Sequence, residues 1–229
     1  MDHTIEIWPQ ARELAEEIIS KFNNNKHQEV FTKDNYQHTS ENFVWKNYLW
    51  ESKDYRRAHI EIVDATKYKK MWVMHMCIYP HYSSPDPIFG FDIVCGRSKI
   101  TGAFHDFSKV GDSAMYEWYQ NKMSTINWTK PRELPDWAKR IFSPQMLAAG
   151  NVQTQEEFDQ LKKTVIDNLD YYLYNIGVPY VGTNYKEQQN FYCKNQKMNP
   201  HTPAMMEAIG VDKATFMTFM DEILFPEST

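Results

Sequence analysis

Asp92 stands inside the apolar run Ile88-Phe89-Gly90-Phe91-Asp92-Ile93-Val94-Cys95. A carboxylate there is costly unless it is paired or protonated, because removal from water disfavours the charged form and raises the pKa. A carboxyl held partly neutral near pH 7 can act as a proton donor. His75 sits between Met74 and Met76 in a second apolar run, and strand alternation places it on the face carrying Val73, Cys77 and Tyr79. Glu61 lies in Arg57-Ala58-His59-Ile60-Glu61-Ile62-Val63, on the same parity as His59. If the runs holding His75 and Asp92 pair, the two side chains face one another and can share a proton. Taken singly, each residue reads better as structural, His75 as a satisfied core histidine and Asp92 as a backbone cap. Three ionisable residues on three successive apolar runs point instead to proton chemistry, since such clusters cost stability.

The elements that must position them follow from periodicity. Residues 8–22 carry Trp8, Ala11, Leu14, Ile18 and Phe22 at helical spacing, and the Asn23-Asn24-Asn25 tract ends the helix. Strands are expected over residues 43–50, 55–64, 71–79, 88–95 and 99–107, separated by polar or Pro/Gly clusters. No helix lies between consecutive strands, so they are antiparallel neighbours. Neither parity of residues 71–79 is polar, which requires cover on both faces of the sheet. Helices expected over 112–122, 156–174, 186–198, 205–209 and 213–224 supply it, with Asn199-Pro200 as a break. The expected fold is α/β: a three-layer α/β/α sandwich with a central antiparallel sheet flanked by helices, in one domain spanning residues 1–229.

The composition narrows the function classes. Lys and Arg total 25 against 30 Asp and Glu, a net charge of −5, which argues against nucleic acid as a partner. Aromatic residues make up 15% of the chain, enough to line a large apolar pocket or to build a rigid core. The three cysteines include no C-x-x-C pair, so a disulfide framework or structural zinc site is not expected. Met1-Asp2-His3-Thr4 does not read as a secretory leader, and no apolar run is long enough to span a membrane. A monomeric cytoplasmic protein is expected. Sequence signatures for mononucleotide, dinucleotide, zinc-protease and serine-hydrolase sites are absent.

The segments His59-Ile60-Glu61, His75-Met76-Cys77-Ile78-Tyr79-Pro80 and Pro87-Ile88-Phe89-Gly90-Phe91-Asp92-Ile93-Val94 together resemble the ferredoxin-dependent bilin reductases. Arg132-Glu133-Leu134-Pro135-Asp136-Trp137, Ile141-Phe142-Ser143 and Asn190-Phe191-Tyr192-Cys193 extend the likeness, which runs over about residues 55–225. The resemblance implies four-electron reduction of biliverdin IXα to a phycobilin. Electrons come from reduced ferredoxin, with no bound cofactor or metal, and protons pass to substrate radicals. It implies that Asp92 and His75 form the central proton-donating pair. Glu61 resembles the extra glutamate of the phycocyanobilin-forming members, and phycoerythrobilin is the competing product. Among substrate-binding candidates, Asn199 lies where relatives carry Asn or a catalytic Asp, Thr101 matches a propionate contact, and His59, Arg97 and Lys99 are nearby. After Ile141-Phe142-Ser143 the family's propionate arginine is expected. Leu147-Ala148-Ala149-Gly150 stands there instead, so the anchoring must differ. A phage-borne relative would act in the host cytoplasm. The competing functions are a non-catalytic bilin- or haem-binding carrier and an interaction protein.

Overall fold

The strand runs zip into one antiparallel sheet. A computed structural model of the chain describes residues 6–24, 26–30, 36–177 and 182–228; Met1 to Thr4 and Asn25 lie outside them. The sheet contains β1 (Gln28–Val30), β2 (His38–Thr39), β3 (Val44–Glu51), β4 (Arg57–Ala65), β5 (Met71–Tyr79), β6 (Ile88–Cys95), β7 (Ile100–Ser108) and β8 (Leu147–Ala149). The spatial order is β1-β3-β4-β5-β6-β7-β8, with β2 also pairing β3, and every pairing is antiparallel. The helices are α1 (Ile7–Ser20), α2 (Ala114–Met123), α3 (Asp136–Lys139), α4 (Gln155–Asn175), α5 (Lys186–Gln196), α6 (His201–Ala208) and α7 (Lys213–Phe219), the last continuing into a π-helical turn, Met220–Leu224.

Both faces of the sheet are covered, as the absence of a polar parity in β5 requires. One face packs Ile60, Met74, Met76, Phe89 and Phe91 against Leu14 and Ile18 of α1, Tyr119 of α2, and Leu161 and Leu169 of α4. The other packs Trp45, Val63, Cys77 and Tyr79 against Tyr192 of α5, Met206 of α6 and Phe219 of α7. The three-layer α/β/α arrangement therefore follows from strands that are apolar on both sides. Among the described residues, no helix is long and apolar enough to cross a membrane.

Several boundaries differ from the periodicity. β4 begins at Arg57 and β7 at Ile100, each about two residues or fewer from expectation. Helix α6 starts at His201 rather than 205, because Pro203 falls in its first turn, where a missing N–H costs nothing. Asn199 Oδ1 accepts from His201 N at 3.0 Å and starts that turn. The short elements β1, β2, β8 and α3 were not expected. A strand of two or three residues such as Leu147–Ala149 is too short to display a period.

Candidate active site

Strand register, rather than proximity in sequence, assembles the polar groups. Asn47 pairs with Glu61, Glu61 with His75, His75 with Asp92, and Asp92 with Phe104. One straight row across β3 to β7 therefore carries all three ionisable candidates on the face toward α5–α7. A cavity of about 1030 Å³ opens over this row, with Glu61, His75 and Asp92 on its floor and Trp137, Phe142 and Tyr192 among its walls. That volume is at the upper end for small-molecule sites.

Burial sets the protonation of the row. The apolar surroundings push Asp92 up to about 7, opposed only by the backbone amide of Ile93. Glu61 is also pushed up to about 7; burial dominates, the Trp45 indole opposes it and the charge of Asp92 adds to it. Trp45 Nε1 donates to Glu61 Oε1 at 2.7 Å. His75 moves the other way, down to about 4, because its cationic form is desolvated. At neutral pH the site thus holds a neutral imidazole beside two carboxyls that can each keep or release a proton. Such groups suit general-acid work.

His75 and Asp92 stand side by side without a hydrogen bond between them among the described residues. Their side chains project in parallel from paired strands, and His75 Nε2 lies 3.4 Å from Cys77 Sγ. The directly shared proton expected from the sequence is therefore absent from this arrangement.

The substrate-binding candidates separate. Thr101 and Asn199 line the cavity. Thr101 Oγ1 donates to the Val94 carbonyl at 3.0 Å, and Asn199 Nδ2 donates to Thr202 Oγ1 at 3.2 Å. His59, Arg97 and Lys99 do not line it. His59 is fully buried one register row away, where its Nε2–H donates to Asn47 Oδ1 at 2.9 Å and its ring meets Phe219 edge-on. Asn47 Nδ2 donates to the Tyr36 carbonyl, which fixes the amide's orientation and with it the Nε2–H form of His59. Arg97 and Lys99 lie on the β6–β7 turn, beyond the register shift at Val94/Cys95.

Two cavity residues escaped the sequence reasoning. Arg132 lies across the outer strands, its guanidinium 5.9 Å from the Phe104 ring centre. It fills the space above two glycines: a Cβ on Gly150 would sit 3.0 Å from Arg132 Nε, and one on Gly102 3.5 Å from Nη1. Among the described residues no carboxylate pairs with it. Gly150 ends the segment where an arginine was expected, and Arg132 now occupies that space from the neighbouring loop. Asp106, buried on the cavity wall, accepts from Ser108 Oγ at 2.7 Å and from both the amide and hydroxyl of Ser143. It holds the 141–143 segment against β7, and burial raises its pKa to about 6. The Ile141-Phe142-Ser143 segment was legible as a likeness, but its partner on β7 was not.

The family model for ferredoxin-dependent bilin reductases matches residues 12–226. A phycocyanobilin:ferredoxin oxidoreductase from Trichodesmium erythraeum is 26% identical over 194 residues, 81% of this chain and 77% of the relative. One from Synechococcus sp. is 27% identical over 187 residues, 76% and 74% of the two chains. The solved structure of PcyX superposes with a TM-score of 0.68 at 24% identity, covering 96% of this chain and 99% of the other. Tomato phytochromobilin synthase in complex with biliverdin gives a TM-score of 0.75 at 13% identity, covering 93% and 82%. Likeness at those identities speaks for the shared fold. The family match runs through every strand that builds the cavity floor, and the chain belongs to the ferredoxin-dependent bilin reductases, a family of oxidoreductases.

Proposed function

We propose that this chain reduces biliverdin IXα by four electrons, delivered singly by reduced ferredoxin, and that the product is phycocyanobilin. The observation that carries the proposal is the register row Glu61–His75–Asp92 on the floor of a cavity of about 1030 Å³. Each electron makes the bound tetrapyrrole more basic, and a neutral carboxyl beneath it can then protonate the radical anion. Asp92 and His75 serve the first two-electron reduction, and Glu61 protonates the outer vinyl group in the second. Four electrons and four protons enter the substrate, and the oxidised product is ferredoxin. No resident redox group is required by this balance.

Arg132 holds a propionate of the substrate. Its guanidinium has no carboxylate partner among the described residues, lies on the cavity wall and replaces the side chain missing at Gly150. Ferredoxin docks beside the β4–β5 and β6–β7 turns, which lie at one end of the sheet and carry Lys69, Lys70, Arg97 and Lys99. The location proposed for the enzyme is the cytoplasm, where reduced ferredoxin is available.

The test is incubation with biliverdin and a reduced ferredoxin system, followed by chromatography of the products. Phycocyanobilin supports the proposal. Phycoerythrobilin overturns the product while leaving reduction intact. A single immediate spectral shift with no later change would support a carrier instead.

A further inference from the structure

Cys77 is fully buried beside the cavity floor, one strand repeat from His75 on the same face of β5. Its Sγ lies 3.4 Å from His75 Nε2 and 3.7 Å from Tyr192 Oη, and Gln196 Nε2 donates to that Oη at 2.7 Å. Tyr192 reaches the thiol over Gly90, the register partner of Cys77, where a Cβ would lie 3.6 Å from Tyr192 Oη, an ordinary contact. Tyr192 and Gln196 are themselves buried and sit one helical turn apart on α5.

One assignment of these bonds uses each donor proton once, starting from the Gln196 amide. The Gln196 amide N–H occupies the phenol oxygen as a donor, so the phenol must place its own O–H on another acceptor. Among the described residues, Cys77 Sγ is the acceptor within reach. The thiol has a single proton; with its sulfur accepting from Tyr192, that proton is left to be donated, and His75 Nε2 at 3.4 Å is the nitrogen placed to take it. Burial pushes the thiol up to about 12 and raises the phenol well above its ordinary value, so both keep their protons at neutral pH.

We infer that Gln196, Tyr192 and Cys77 form a one-way donor chain that fixes His75 in its Nδ1–H tautomer, with Cys77 as a positioning residue for the candidate proton donor. An imidazole in water populates both tautomers, and a neutral histidine on a cavity floor has no intrinsic reason to hold one of them. With Nε2 committed to the thiol as an acceptor, the ring's N–H sits on Nδ1. If Nδ1 gives up that proton, Nε2 takes the thiol proton and the sulfur takes the phenol's, and the ring cannot flip without breaking the chain. The kinetic consequence rests on the reductase proposal; the tautomer itself does not.

The experiment is ¹⁵N NMR of the histidine ring nitrogens in the substrate-free protein at pH 8, with His75 assigned by its absence in His75→Gln. The expected wild-type spectrum has a protonated Nδ1 and an unprotonated Nε2. Cys77→Ala and, to a smaller extent, Tyr192→Phe should let the Nε2–H tautomer appear. Biliverdin turnover should then fall about tenfold in Cys77→Ala, with biliverdin affinity unchanged. A protonated Nε2 in the wild type overturns the chain even if Cys77→Ala fails to fold. An unchanged tautomer in a folded Cys77→Ala also overturns it. An inactive wild type with the expected tautomer supports the chain and strikes only the reductase proposal.

Discussion

Trp45 Nε1 donates to Glu61 Oε1 at 2.7 Å, so one oxygen of a buried carboxyl is pinned from the neighbouring strand. The bond favours the charged form and burial favours the neutral one, and the balance leaves Glu61 near 7. Glu61→Gln keeps the size and the indole acceptor but removes the acidic proton. Phycocyanobilin formation should stop at a two-electron intermediate in this variant, read by chromatography. If the wild type instead makes phycoerythrobilin, the substitution should be nearly silent.

Asp92→Asn should leave biliverdin binding within a few-fold of wild type and lower turnover by about 10²–10⁴-fold, the usual range for a lost proton donor. A long-lived substrate radical should be visible in its optical and EPR spectra. His75→Gln should be similarly damaging. Because the two residues are register partners, the double variant should be less than additive. Strictly additive losses would separate their roles, and near-normal turnover by Asp92→Asn would remove it from the chemistry.

The carboxyls and the imidazole make opposite demands on stability. Asp92 and Glu61 have folded-state pKa values raised to about 7, so the native state binds more protons than the unfolded chain between about pH 4 and 7. Their contribution is therefore most favourable below pH 4 and is lost as pH rises through 7. His75 is lowered to about 4, so its contribution is present above pH 6.5 and is lost as pH falls through 4. Asp92→Asn should raise stability at pH 8, on the order of 2 kcal/mol, with the gain closing toward pH 4. Thermal melts over that pH range measure it, and a gain that grows on acidification would reverse the sign of the Asp92 shift.

Arg132→Ala should weaken biliverdin binding by about 10–100-fold, the worth of a charge-assisted hydrogen bond to a carboxylate. Turnover at saturating substrate should change far less. Biliverdin dimethyl ester, which has no carboxylate, should bind wild type and variant alike. Equal losses for acid and ester would place Arg132 in packing over Phe104 rather than in recognition.

Charge reversal at Lys69 and Lys70 should slow electron delivery from ferredoxin without altering biliverdin affinity. Both are exposed on the β4–β5 turn, and Arg97 is exposed on the adjacent turn. The chain's net charge of −5 gives no general attraction for an acidic partner, so local cations must steer it. Raising salt to physiological strength, where screening acts over about 8 Å, should slow the same step in the wild type. A salt-insensitive rate would exclude this docking face.

The sequence by itself determined the layers and the acids. β5 is apolar on both parities, and an element of that kind has to be covered twice; Asp92, His75 and Glu61 stood out because each interrupts such a run. Alternation even grouped His75 with Val73, Cys77 and Tyr79 and put Glu61 on one parity with His59. Only the tertiary structure decided which of them meet, because register is a relation between strands and one strand's pattern cannot express it. It joined Glu61 to His75 and His75 to Asp92 while withholding the direct hydrogen bond expected of the last pair. The fold also buried His59 beneath Phe219 one row away and carried Arg97 and Lys99 past the end of the cavity. It brought in Arg132 from a loop with no periodicity, over two glycines that leave it room. A side chain's charge and apolar setting are local properties, readable along the chain. The partner that a folded backbone places against it is not.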